Sequence, residues 1–206
     1  MDFTIEKATL IVRGNGIFSG TYGMKLSELT VGGSLAVNSP SGSRVPGRWA
    51  LTGDVIPNVG DSGEYTAIFT PVIGAENYKP LTAQVTLEID KATPPAPQTG
   101  TLNVRNGYTV NYPYDLSRLL PILANGQSFG GDVTYTLKAV NITEAGYYDS
   151  SDPAAISGTT LTLPVKAVTS GTEGQIGTIA VTISSQNFED MTATINVRSV
   201  NKQSVD

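Results

Sequence analysis

Most nucleophilic and general-base chemistry in proteins is carried by histidine or cysteine, and this chain of 206 residues contains neither. Ser-His-Asp and Cys-His arrangements are therefore ruled out, as is any zinc site built on imidazole or thiolate. A Ser-Lys dyad would need a lysine desolvated beside a serine. Lys7, Lys91, Lys138 and Lys166 instead lie in or beside strand-like runs with no such motif. Paired carboxylates could act on glycosidic bonds, but Asp54, Asp61, Glu64, Asp115 and Asp132 are scattered through turns, where solvated loop charges are the default. Gly42-Ser43-Arg44-Val45-Pro46-Gly47-Arg48-Trp49 has phosphate-loop glycine spacing without the Lys-Ser/Thr pair, and Pro46 removes an amide that such a cradle needs. It reads as a turn. Tyr148-Asp149-Ser150-Ser151-Asp152 lacks the alternating acids and the glycine of a calcium loop. No catalytic residue, cofactor or metal is expected.

The tyrosines are the remaining candidates. Tyr112-Pro113-Tyr114 and Tyr147-Tyr148 sit in turn-rich contexts, where one ring of each pair is expected to reach solvent. Exposed tyrosines stack on sugar rings or anchor a protein partner. Tyr112, Tyr114, Tyr147 and Tyr148 are thus the candidate ligand contacts, set against a purely structural role in capping the end of a sandwich. Trp49, Tyr65 and Phe69 are expected in the core.

The elements that must position these residues are strands. Tyr65, Ala67 and Phe69 alternate, as do Val85, Leu87 and Ile89, then Val133, Tyr135 and Leu137, then Leu161, Leu163 and Val165. This is the period of a half-buried strand. Gly14-Asn15-Gly16 is a turn, and Asn106-Gly107 predicts a two-residue hairpin between Leu102–Val104 and Tyr108–Tyr112. Asp115 is expected to cap one helical turn stopped by Pro121, and Pro164 marks an edge strand. Short strands between Gly, Pro and Asn turns, without 3.6-residue periodicity, predict an all-β chain of antiparallel sandwiches.

Two such domains fit the length. Ile5-Glu6-Lys7-Ala8-Thr9 recurs 84 residues later as Ile89-Asp90-Lys91-Ala92-Thr93, just before Pro94, Pro95 and Pro97. The phrase is read as a seam between modules. It gives a first domain over 1–92, with residues 1–8 as the tail of a preceding repeat, a proline-rich linker over 93–98, and a second domain over 99–206. The linker is expected to be a semi-rigid polyproline spacer of roughly 3.1 Å per residue. Net charge is −5 without a basic cluster, so nucleic acid is an unsuitable partner. No run approaches a membrane span, and Met1–Ile5 does not resemble a signal peptide. The chain is expected to be a piece of a longer array.

The first module resembles the Ig-like repeats of large bacterial cell-surface, adhesin-type proteins. The resemblance rests on Tyr22-Gly23-Met24-Lys25-Leu26, Val45-Pro46-Gly47-Arg48-Trp49, Gly63-Glu64-Tyr65 leading into Phe69-Thr70-Pro71, Asn77-Tyr78, and Ile89-Asp90-Lys91-Ala92. The second module resembles the Ig-like unit that follows such repeats, through Ile156–Leu161 and Gln186–Asp190. The resemblance implies two tandem Ig-like sandwiches in a non-catalytic, extracellular stalk or adhesive repeat, monomeric beside its neighbours, with a protein or glycan as the surface ligand. An intramolecular Lys-Asn isopeptide bond, known in some similar surface domains, has no marker here. The alternatives are a glycan-binding module built on the four tyrosines and an accessory domain of a surface hydrolase.

Overall fold

The computed structural model describes residues 6–123, 129, 132–144, 146–148, 150–168 and 173–200. They are almost entirely strand and turn, and the chain separates into two compact units, Met1–Ala92 and Thr93–Asp206.

The first unit contains β1 (Ile11–Arg13), β2 (Gly16–Thr21), β3 (Thr30–Gly33), β4 (Ala36–Asn38), β5 (Gly47–Ala50), β6 (Tyr65–Pro71) and β7 (Leu81–Asp90). Five of them form one sheet in the order β3-β2-β7-β6-β5, and β1 and β4 form a separate ribbon. The period-2 runs do what their pattern requires: Ala67 and Phe69 of β6 and Val85 and Ile89 of β7 are buried, with Thr66, Thr70, Thr86 and Glu88 outward. Phe18 on β2 is wholly buried in a cluster with Leu26, Leu29, Leu51, Ala67, Val85 and Ile89. A second cluster of Leu10, Val37, Val45 and Phe69 joins the ribbon side to the sheet, and the half-buried Trp49 packs against both. Its ring lies 5.1 Å from that of Phe69, tilted by 52°. Gly47 lacks a side chain because a Cβ there would strike the Phe69 ring.

The second unit contains β8 (Gly100–Arg105), β9 (Val110–Asp115), β10 (Val133–Ile142), β11 (Ala155–Ser157), β12 (Thr160–Val165), β13 (Gly174–Ser185) and β14 (Met191–Val200). One sheet runs β10-β13-β14-β8 and the other β11-β12-β9. Sequential strands divided three against four in this way form an Ig-like sandwich. Val104, Leu116, Leu119, Leu161, Ile179, Val181, Ile183, Ile195 and Val197 fill it, each wholly buried. The expected turn after β9 is present as a 3₁₀ turn over Leu116–Leu119, with the Asp115 carboxylate accepting from the Ser117 amide (3.0 Å) and hydroxyl (2.7 Å).

Two local expectations meet a different outcome. Asn106-Gly107 is a tight turn with Gly107 at φ 83°, yet β8 and β9 do not form a hairpin. β8 pairs with β14 and β9 with β12, so the turn carries the chain from one sheet to the other. Pro164 lies on the central strand of its sheet, but β11 stops pairing at Thr162, leaving that side of Pro164 without a ladder to interrupt. The proline run is fastened to the second unit at both ends: Thr93 Oγ1 donates to Glu189 Oε2 (3.1 Å), and the Gln98 amide to the Leu119 carbonyl (2.9 Å).

Each unit also has one parallel pair among its antiparallel ladders. β2 pairs with β7 from Gly16↔Val85 to Thr21↔Asp90, and β8 pairs with β14 from Gly100↔Ile195 to Arg105↔Val200. In both units an early strand lies beside the last one and runs the same way.

Candidate functional site

The four tyrosines do not form an exposed platform. Tyr147 is 1% exposed and its hydroxyl donates to the Asn106 side-chain carbonyl, beneath the turn that links the two sheets. Tyr114 is 9% exposed in the same core, where burial pushes its phenol above the ordinary range. Tyr112 and Tyr148 are half-buried, and their hydroxyls accept from the backbone amides of Arg105 (2.8 Å) and Ala154 (3.2 Å). One ring of each pair is thus buried in the core, and the other packs half-buried against it. For Tyr112 and Tyr114 the cause is register: they face Leu163 and Leu161 across β9 and β12, and both leucines are inward.

Three of the candidate acids make local contacts. Asp54 pairs with Lys25 at 3.1 Å on the exposed surface. Asp61 accepts from the Tyr65 hydroxyl at 2.8 Å, and this bond holds the Tyr65 phenol above its ordinary range. Asp115 serves its own turn, whose two hydrogen bonds from Ser117 hold the carboxyl below the usual carboxylate range. Among the described residues no group of three or more Asp and Glu is placed to hold a metal. Asp149, from the Tyr148–Asp152 stretch, lies outside the described residues. No helix among the described residues is long and apolar enough to cross a membrane.

The seam has a definite geometry. Ala8 accepts from Lys79 (3.0 Å), donates to the Asn77 carbonyl (2.8 Å) and bridges Tyr78, immediately before β7 begins. Lys91 and Ala92 follow the other end of β7. The two copies therefore sit at opposite ends of a 10-residue strand, about 30 Å apart at roughly 3.3 Å per residue.

A cleft that the sequence did not suggest opens between β3 and β5, the two outer strands of the five-stranded sheet. Its volume is about 500 Å³, and a neighbouring hollow of about 300 Å³ shares Leu35, Arg44, Gly47 and Trp49 with it. Val31 is paired with the wholly buried Phe18 and faces the core side, yet it is 44% exposed because the sheet is open there. Arg44 and Arg48 flank the cleft, and their side chains make no hydrogen bond or ion pair among the described residues. The available signal was two arginines within five residues of the only tryptophan in an acidic chain.

No protein-family model and no curated protein matches the sequence. Among solved structures, the chain is similar to human mucin-like protocadherin EC1-2 at 16% identity, over 94% of this chain and 98% of that one, with a TM-score of 0.44. For murine CEACAM1b the identity is 12%, coverage is 95% of both chains and the TM-score is 0.32. For surface layer protein SbsC, domains 4–9, the identity is 16%, over 96% of this chain and 31% of that one, with a TM-score of 0.25. At these scores the strand order described above, rather than the likeness, identifies the fold.

Proposed function

We propose that this chain is a non-catalytic, extracellular structural and interaction module, a stalk or adhesive repeat of a bacterial cell-surface protein. The observation that carries this reading is the parallel pairing of an early strand with the last strand in each unit. When the two strands are pulled from opposite ends, the ladder between them is loaded in shear, so its hydrogen bonds must fail together rather than one after another. The seam geometry supports the same reading, because the repeated phrase occupies both ends of β7.

Single-molecule stretching of the whole chain tests it. Two separate rupture events are expected, each releasing about 30 nm of chain at roughly 3.4 Å per residue. Smooth extension at low force, without discrete ruptures, would remove the load-bearing role. Antibody labelling of intact cells tests the location: an epitope reached only after lysis would refute an extracellular module.

A further inference from the structure

We propose that the cleft between β3 and β5 binds an acidic sugar, a carboxylate-bearing pyranose unit within a polysaccharide. Four features converge on that chemistry. The cleft volume of about 500 Å³ falls within the ~300–1,000 Å³ typical of small-ligand sites. Trp49 lines it as a half-buried aromatic surface suited to the C–H face of a sugar ring. β3 and β5 are the terminal strands of their sheet, so each lines the cleft with backbone N–H and C=O groups that have no ladder partner on that side. Those groups match sugar hydroxyls. Arg44 and Arg48 add two guanidinium groups without an acidic partner among the described residues, in a chain whose net charge is −5. Planar guanidinium is the side chain best shaped to hold a carboxylate through two hydrogen bonds.

Strand geometry decides against an acidic peptide completing the sheet between the two edges. A strand between β3 and β5 would need neighbours on both sides at about 4.8 Å, a span of roughly 9.6 Å. The Cα atoms of β3 and β5 approach within 8 Å. A sugar ring laid against Trp49 and hydrogen-bonded to one edge needs no such span. A lone inorganic anion would use the arginines but leave Trp49, Val31 and the open strand edges without a role.

The site is independent of the load-bearing role proposed above, and its test is separate. Trp49 is the only tryptophan, so intrinsic fluorescence of the whole chain reports directly on the cleft. Titration with trigalacturonate is expected to give a saturable change, weakened by salt, that its neutral methyl ester does not give. The amide resonances of Gly32, Gly33 and Gly47 are expected to shift in the same titration. Arg44→Gln combined with Arg48→Gln should weaken binding at least tenfold, since charged hydrogen bonds are lost, with the circular dichroism spectrum unchanged. The proposal is overturned if trigalacturonate moves neither the fluorescence nor these amides. It also fails if the methyl ester binds equally or the double variant binds as well as the parent. Tighter binding of hexaglutamate would transfer the cleft to acidic peptides, and tighter binding of a sulfated neutral trisaccharide would replace the carboxylate by a sulfate ester.

Discussion

Tyr147 shows how far a single side chain was legible from its neighbours in sequence. A Tyr-Tyr pair in a turn-rich stretch signals surface, but its depth depends on Asn106, which lies 41 positions away and receives the hydroxyl. Tyr147→Phe keeps the ring and removes that donor inside the core. A loss of about 0.5–1.5 kcal/mol is expected in urea unfolding of the second unit, the net contribution of one hydrogen bond. Asp115 was legible because its role is local: the residue type and the following turn suffice. Its carboxyl is held below the usual carboxylate range, chiefly by the hydrogen bond from the Ser117 hydroxyl. A depressed carboxyl stabilises the fold above its unfolded pKa, and that contribution is lost as pH falls through the folded value. Asp115→Asn can still accept the Ser117 bonds without titrating. The variant should therefore lose less stability than the parent below about pH 3.8, measured as the shift of the urea midpoint between pH 6 and pH 3.

At the scale of elements, the period-2 pattern made most long strands visible because each side chain reports its own burial. It did not show which strands are neighbours. The tight Asn106-Gly107 turn resembles a hairpin locally, and only the distant partners β12 and β14 convert it into a crossing between sheets. The parallel pairs were hidden for the same reason, since each joins strands more than 60 residues apart. The cleft was hidden too, being a property of two strand edges that fail to meet. A bulge on β13 supplies a sharper test of strand packing. The register shifts between Gln175 and Gly177, and a Cβ on Gly177 would run into the backbone of Asn141 and Ile142 on β10. Gly177→Ala must push these strands apart, and a destabilisation of about 1–3 kcal/mol is expected, typical of overpacking. Chemical denaturation of the second unit measures it, and an unchanged midpoint would show that the bulge has room to move.

For the whole molecule, the two units differ in how much core they own. The second is filled by one continuous cluster from both sheets, whereas the first divides its interior into two smaller clusters beside an open cleft. The first unit should therefore unfold at lower denaturant. Trp49 belongs to it, so tryptophan fluorescence is expected to report an early transition while far-ultraviolet circular dichroism shows a second, later one. Coincident curves from the two probes would show a single cooperative system instead. The repeated seam carries a consequence for inheritance as well. Because the same five-residue pattern recurs 84 positions apart, an unequal exchange within it would add or delete 84 residues while keeping the reading frame.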